Sequence, residues 1–351
     1  MSLTHRQLAI LDSIRTKSGG AATREILAEL RGAFDHLSRI TIIRDLDALV
    51  TRGLVRKIGK GRAVRYAENV LNPSQRHIDH VAYFAVDDLK RALPYPTYHP
   101  AALAAFSDAF TPQEYETLTV LNDAYRKRMD KLPPTVIRKE MERFTAEFSW
   151  KSSQIEGNTY SLLDTEVLLK DQREAEGHSY QEAQMILNHK AALEFIAAHP
   201  KDYTPVSMRT IEQLHELIVK NLGVTRGLRS APVGILGTSY RPMGIRTQLR
   251  EALQAALDAI NAEPRPPAKS LMALLLIAYI QPFEDGNKRT ARLLGNALLI
   301  AHGFCPLSFR SIDEKEYKKA VILFYEQHNI RYFKQLFIEQ FTYAAEHYFL
   351  A

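Results

Sequence analysis

The sequence predicts a mainly α-helical protein: a large helical domain carrying one small β-hairpin, preceded by a compact module of three helices and a basic hairpin. Three observations carry this reading. Helical patterns follow one another along most of the 351 residues; short alternating stretches occur at 54–66 and 227–242; and the whole net charge of +6 lies at one end. Residues 1–70 hold thirteen Lys and Arg against seven Asp and Glu, whereas the remainder balances at 33 against 33. A basic excess confined to one module is expected of an appended nucleic-acid-binding unit.

Composition narrows the classes further. A hydrophobic content of 46% supports a sizeable core. The single cysteine, Cys305, rules out an internal disulfide and any cysteine-based zinc site, which suits a reducing cytoplasm, and its expected role is packing. The first residues, Met-Ser-Leu-Thr-His-Arg, form no apolar leader, and the longest uncharged apolar run, Leu271 to Ile280, is far shorter than the ~20 residues that cross a bilayer. The expectation is an unexported cytoplasmic protein without membrane contact. There is no internal repeat or low-complexity tract.

In the basic module, helices are expected over Arg6 to Arg15, with Leu8, Leu11 and Ile14 on one face, over Thr23 to Leu30, and over Ser38 to Thr51, with Ile43, Leu46 and Val50 or Leu49. Thr23 and Ser38 read as N-caps, and Gly53 as the stop of the third helix. Two short strands then flank Gly59-Lys60-Gly61. Three helices and a basic hairpin make a winged helix-turn-helix, and the third helix resembles the recognition helix of DeoR-type bacterial regulators. Arg39, Thr41 and Arg44 can turn away from the apolar stripe toward base edges or phosphates of duplex DNA. Lys57, Lys60, Arg62 and Arg65 would lay the wing on the phosphate backbone. Docking of another protein is the alternative use of such a module.

Leu71-Asn72-Pro73-Ser74 reads as a boundary, giving a first domain over 1–72, a helical linker over 73–132 and a main domain over 133–351. In the linker, helices are expected over Val81 to Leu93 and Pro112 to Met129, with the proline-rich 93–100 extended between them. A long amphipathic helix is expected over Thr135 to Trp150.

The most informative stretch is Gln281 to Arg292, Gln-Pro-Phe-Glu-Asp-Gly-Asn-Lys-Arg-Thr-Ala-Arg. An apolar run, Leu271 to Ile280, stops at a proline, passes Asp285-Gly286-Asn287 and restarts from Ala291 to Ala301. Gly286 and Asn287 tolerate the backbone angles that point successive N–H groups at one spot, and the following helix adds its positive end, so the loop can nest an anion. Lys288, Arg289 and Arg292 bring three cations, and Asp285 a hard oxygen suited to Mg²⁺. The pattern reads as a polyphosphate cradle with a metal.

These residues resemble the signature of Fic proteins, H-x-F-x-D/E-G-N-G/K-R-x-x-R, at Phe283, Asp285, Gly286, Asn287, Lys288, Arg289 and Arg292. The resemblance implies a Fic fold over residues from about 80 to about 340, ATP and Mg²⁺ as cofactors, and transfer of AMP to a hydroxyl side chain of a protein target. It departs at Gln281, which stands where the family has the histidine that takes the target's proton. Ser152, Glu156 and Gly157, within Lys151-Ser152-Ser153-Gln154-Ile155-Glu156-Gly157-Asn158, are similar to the family's inhibitory motif, whose glutamate reaches the second arginine, here Arg292, and keeps the γ-phosphate out. The 227–242 stretch, which turns at Val233-Gly234-Ile235-Leu236-Gly237, is similar to the β-flap that clamps the target segment by strand addition.

Three functions follow from the resemblance: an AMP transferase impaired by Gln281, a Doc-like phosphotransferase suggested by Lys288, or an ATP-responsive transcriptional regulator without catalysis. The aromatic helices over Lys315 to Leu350 are expected in the core, with a homodimer contact as the minor alternative. His189 and His215 lie on expected helices without a metal-ligand partner at i+4 and read as structural.

Overall fold

The structure, a computed structural model, describes residues 3–17, 19–34, 36–70 and 72–350. The chain divides into two compact units, Met1–Arg91 and Ala92–Ala351.

The first unit is built by three capped helices. Helix α1 (His5–Arg15) begins at Thr4, whose side chain accepts from the Gln7 N–H, and Gln7 returns the bond to the Thr4 N–H. Helix α2 spans Thr23–Leu30; Ala22, not Thr23, holds the cap position, and Glu25 closes the turn by accepting from the Ala22 N–H at 3.0 Å. Helix α3 (Arg39–Thr51) is capped by Ser38, and the chain leaves it through Gly53 at φ 71°. Strands β1 (Val55–Ile58) and β2 (Arg65–Glu68) pair antiparallel, with Val55 opposite Glu68 and Ile58 opposite Arg65. Ile10, Leu11, Ile14, Ile26, Ile42, Leu46 and Leu49 form the core under them. The buried stripe therefore uses Ile10 rather than Leu8 and Ile42 rather than Ile43; when several neighbouring residues are all apolar, periodicity leaves the phase of the stripe open by one residue. The stretch expected as a helix over Val81 to Leu93 holds only the short α4 (His80–Ala85), capped by Asp79.

In the second unit the proline-rich segment is irregular, with bends at Pro94 and Pro96, up to a 3₁₀ turn over Pro100–Phe106. Helix α5 (Pro112–Met129) starts at a Thr111–Glu114 capping box. Helix α6 spans Pro134–Ile155, so it runs past Trp150 into the Ser152 stretch and stops just before Glu156. Then come α7 (Leu162–Asp171), α8 (Tyr180–Ala198), α9 (Met208–Val219) and α10 (Arg246–Ala262). Helices α11 (Pro266–Ile280) and α12 (Asn287–Ala301) form the central hairpin, and α13 (Glu314–Gln327) and α14 (Arg331–His347) complete the unit.

Helix α11 is buried on every side from Pro267 to Ile280, which is why its sequence is apolar all round rather than striped. Gly295 lets α12 approach it: a Cβ there would sit 3.1 Å from Leu274 Cγ and from Ser270 Oγ. Cys305 is buried, as expected of a packing residue. Helix α12 begins at Asn287, a full turn before the apolar restart at Ala291, so the cations of that turn belong to the helix.

A further expectation fails. The 227–242 stretch forms no hairpin; between 228 and 242 the described chain is irregular, with a turn at Leu236–Gly237 and one isolated parallel bridge between Thr97 and Arg241. Its limbs are held by other parts of the unit instead. Thr238 Oγ1 donates to Glu326 Oε1 at 2.6 Å, Tyr240 Oη donates to the Tyr279 carbonyl at 2.9 Å, and the Arg241 N–H donates to the Pro96 carbonyl at 2.9 Å. Pro232 and Pro242 lack the N–H a ladder needs at its two ends.

Candidate functional site

Two left-handed residues set the loop between α11 and α12. Gln281 ends α11 at φ 52° and ψ 60°, its N–H donating to the Ile277 carbonyl, and Gly286 precedes α12 at φ 79°. A Cβ on Gly286 would lie 3.2 Å from Val219 Cγ1 and 3.3 Å from Ile218 Cγ2, so the position needs glycine for both angle and room. Asn287 fastens the turn: its Oδ1 accepts from the Phe283 N–H at 2.8 Å, while its Nδ2 donates to the Phe283 carbonyl at 2.8 Å and to Gln281 Oε1 at 2.9 Å. Phe283 is fully buried and stacks on the His215 ring, with centroids 3.8 Å apart. His215 Nε2 lies 3.0 Å from the Asp285 carbonyl, to which it donates. Burial lowers the His215 pKa to about 4, so the ring is neutral at neutral pH.

The Gln281 side chain is engaged at both ends. Its Nε2 donates to the Ala278 carbonyl at 2.6 Å while its Oε1 accepts from Asn287. An amide has no basic lone pair to offer a target hydroxyl at neutral pH.

The cations divide into two groups. Arg289 donates through Nη2 to Asp285 Oδ2 at 2.7 Å, but its other terminal nitrogen, Nη1, is buried and has no hydrogen-bond partner among the described residues. Arg292 is fully buried. Its Nε donates to Ser152 Oγ at 2.9 Å, its Nη2 to the Ser152 carbonyl at 2.8 Å and to Glu156 Oε1 at 3.0 Å, and its guanidinium lies 5.4 Å from the centre of the Tyr317 ring. Lys288 Nζ sits 2.7 Å from the other carboxylate oxygen of Glu156. Burial alone would raise the Glu156 pKa; Arg292 and Lys288 outweigh it and hold the carboxyl down to about 2.

Local structure places Glu156 there. It follows the last residue of α6, and Gly157, at φ 101°, turns the chain away behind it. Ser152, one turn earlier on the same helix, meets Arg292 both through its hydroxyl and through its carbonyl. Around these groups lies a cleft of about 450 Å³, lined by Glu156, Gln281, Asp285 to Arg289, Tyr317, Tyr325 and Val233 to Leu236.

Residues 205–299, which contain α9 to most of α12 and the loop between α11 and α12, match the model of the Fic/DOC family. The chain carries a Fic/DOC family domain. Among curated relatives, it is 26% identical over 188 residues to the protein adenylyltransferase fic-1 of Caenorhabditis elegans, an alignment covering 52% of this chain and 37% of that protein. It is 29% identical over 174 residues to the protein adenylyltransferase Fic of Aedes aegypti, covering 48% and 34%. The chain thus spans about a third of the length of these relatives. Among solved structures, Fic-1 from C. elegans superposes with a TM-score of 0.60 at 18% identity, covering 98% of this chain and 97% of the other. A Fic domain containing signaling protein from Bacteroides thetaiotaomicron gives 0.54 at 22%, covering 66% and 96%. At such identities the structures show the fold.

Within the second unit the structure brings Gln281, Asp285, Gly286, Asn287, Lys288 and Arg289 to one cleft together with Glu156 and the segment Val233 to Leu236. Arg292 and Ser152 lie behind the cleft wall, fully buried. Gly237, beyond the cleft, turns at φ 81°. The candidate DNA residues belong to the other unit: Arg39, Arg44, Lys60 and Arg62 are exposed, Thr41 shares a hydrogen bond with Ser38, and Lys57 is paired with Asp47 at 2.9 Å.

A magnesium ion fits the donor set only in one manner. Among the described residues no cluster of three or more His, Cys, Asp or Glu could cage a metal, and Asp285 offers one exposed carboxylate at the cleft. Mg²⁺ accepts such a site, because it keeps several waters and takes its remaining ligands from phosphates.

Sequence reasoning missed Arg229, and it read His189 as structural without finding its partners. Arg229 is buried and donates to the carbonyls of Gln281, Ala231 and Met243 at 2.7, 2.8 and 2.6 Å, tying the α11–α12 loop to both ends of the 231–243 segment. His189 holds Ser152 and Ser153 from α8. Neither left a signal: Arg229 is one of two arginines, with Arg226, in a stretch of mixed composition, and its partner Gln281 is 52 residues away, while Ser153 and Ser152 are 36 and 37 residues from His189.

Proposed function

We propose that this chain is a self-inhibited, ATP·Mg-binding regulator built on an adenylyltransferase fold, with AMP transfer impaired by Gln281 and with duplex DNA as the partner of its N-terminal winged helix. The observation that carries the nucleotide reading is the buried, unpartnered Nη1 of Arg289 beside the Gly286-Asn287 turn. A buried guanidinium nitrogen without an acceptor costs several kcal/mol unless a ligand supplies one, and a phosphate oxygen is the acceptor this nest favours.

In this reading Gly286, Asn287 and the start of α12 cradle the phosphates, Arg289 binds one of them, and Asp285 holds the magnesium, which when bound supplies charge neutralisation between phosphates. Glu156 occupies Arg292 and Lys288, so the terminal phosphate of a triphosphate finds both cations taken. Val233 to Leu236, with Leu236 96% exposed and pairing with no strand among the described residues, offer an edge on which the extended segment of a target protein would dock as a strand. Gln281 binds but does not accept a proton, and the engagement of its amide with Ala278 and Asn287 favours nucleotide sensing over turnover. Lys288 supports a Doc-like register less well, because Glu156 already holds it.

For the N-terminal unit, the exposed Arg39, Arg44, Lys60 and Arg62 support DNA contact; a bacterial cytoplasmic regulator divided at 1–72, 73–132 and 133–351 fits all of these features. Among the described residues no helix is long and apolar enough to cross a membrane. The test is incubation of the wild type and of the Gln281→His, Glu156→Gly double variant with α-labelled and γ-labelled ATP. Transfer of the α label by the double variant alone supports the reading. A wild type that transfers the α label as fast overturns the impairment, and γ-label transfer supports the phosphotransferase.

A further inference from the structure

The contacts of Arg292 separate the two polar residues that α6 turns toward it. Glu156 Oε1 takes one hydrogen of Nη2, and Ser152 takes two donors, Nε through its hydroxyl and Nη2 through its carbonyl. Behind Ser152 lies His189, fully buried on α8. His189 Nδ1 is 2.8 Å from the Met185 carbonyl, which can only accept, so Nδ1 carries the proton and Nε2 is the acceptor. Ser152 Oγ lies 2.8 Å from that Nε2 and must donate to it, which turns the lone pairs of Oγ toward the Arg292 N–H at 2.9 Å.

The order of donors is therefore fixed along the whole chain: Arg292 Nε–H to Ser152 Oγ, Ser152 O–H to His189 Nε2, His189 Nδ1–H to Met185 O. A protonated ring would offer Ser152 a donor in place of an acceptor, and burial prevents this by lowering the His189 pKa to about 3.

We propose that His189, acting through Ser152, is a positioning residue that keeps Arg292 aimed at the nucleotide site whether or not Glu156 is bound to it. This rests on the nucleotide reading above. It assigns opposite signs to two residues of one short stretch: Glu156 competes with phosphate for Arg292, while Ser152 holds Arg292 where phosphate can reach it. When Glu156 leaves, the Ser152 hydroxyl and carbonyl still hold two of the guanidinium's donors, and the Nη2 hydrogen that Glu156 gave up faces the site.

The experiment uses the full chain in the Glu156→Gly background and measures Mg·ATP affinity by calorimetry, with a thermal melt of each variant. Ser152→Ala and His189→Phe should each weaken binding roughly tenfold, the equivalent of one hydrogen bond of about 1.4 kcal/mol. Ser152→Thr, which keeps the hydroxyl, should restore affinity to within about twofold. If His189→Phe does not fold, Ser152→Ala and Ser152→Thr carry the comparison. A second arm needs no nucleotide: ¹⁵N spectra of the wild type should show His189 neutral, with the proton on Nδ1, throughout pH 5 to 8. Ser152→Ala affinity equal to or tighter than the background, or a proton on Nε2, overturns the proposal. If Glu156→Gly binds no ATP, the nucleotide reading and the role assigned to His189 both fall; binding that is indifferent to Ser152 overturns this role alone.

Discussion

Lys288 Nζ lies 2.7 Å from Glu156 Oε2, leaving Glu156 Oε1 to Arg292. Each carboxylate oxygen thus has its own cation from α12, one partly exposed and one fully buried. Removing the exposed partner should raise the Glu156 pKa from about 2, yet leave it below the ~4.3 of a free glutamate because Arg292 remains. Titration of the Glu156 carboxyl by ¹³C NMR in Lys288→Ala reads this directly; an unshifted pKa would mean that Lys288 contributes nothing to the hold.

Acid should loosen the domain in two stages. His189 and His215 have pKa values lowered to about 3 and about 4, so below roughly pH 6.5 the unfolded chain binds protons that the folded one refuses, and stability falls as pH drops from there toward 4. The Glu156 pKa is lowered as well, so its contribution is fully present above about pH 4.3 and is lost as pH falls toward 2. Thermal melts from pH 8 to pH 4 should therefore show a falling Tm, beginning near pH 6.5. A Tm unchanged between pH 7 and pH 4 would contradict the burial of two neutral histidines.

Much of this was legible in the sequence, and for identifiable reasons. The string from Phe283 to Arg292 is informative because each residue has a separate chemical duty at fixed spacing. The cap Ser38 announces α3 because a hydroxyl satisfies helix N–H groups locally, whereas Thr23 lies one residue inside α2, whose cap position is Ala22. What escaped depends on distance in sequence. Alternating residues over 227–242 suggested a hairpin, but Glu326, Tyr279 and Pro96 compete for that backbone and its side chains from 39 to 145 residues away. The choice of Ile42 over Ile43 is made by α1, α2 and the hairpin rather than by α3. The pairing of Lys288 with Glu156, and of His189 with Ser152, joins α12 and α8 to the end of α6, which only packing brings about.

DNA binding by the N-terminal unit should be steeply salt-dependent, because the exposed arginines and lysines would act on phosphates. Titration of the full chain against duplex DNA at rising salt should show affinity falling with every increment, and Arg39→Ala or Arg44→Ala should weaken it at every salt concentration. Absence of binding even at low salt would make this unit a protein-docking module.

The central claim, that Glu156 holds Arg292 and Lys288 away from a nucleotide, is tested most directly by calorimetric titration of Mg·ATP into the wild type and Glu156→Gly. The account predicts tighter binding in Glu156→Gly, and a loss of about 1.5 to 3 kcal/mol when Arg292→Ala is added, the worth of a charge-assisted hydrogen bond. Equal affinity in the wild type and Glu156→Gly would contradict it.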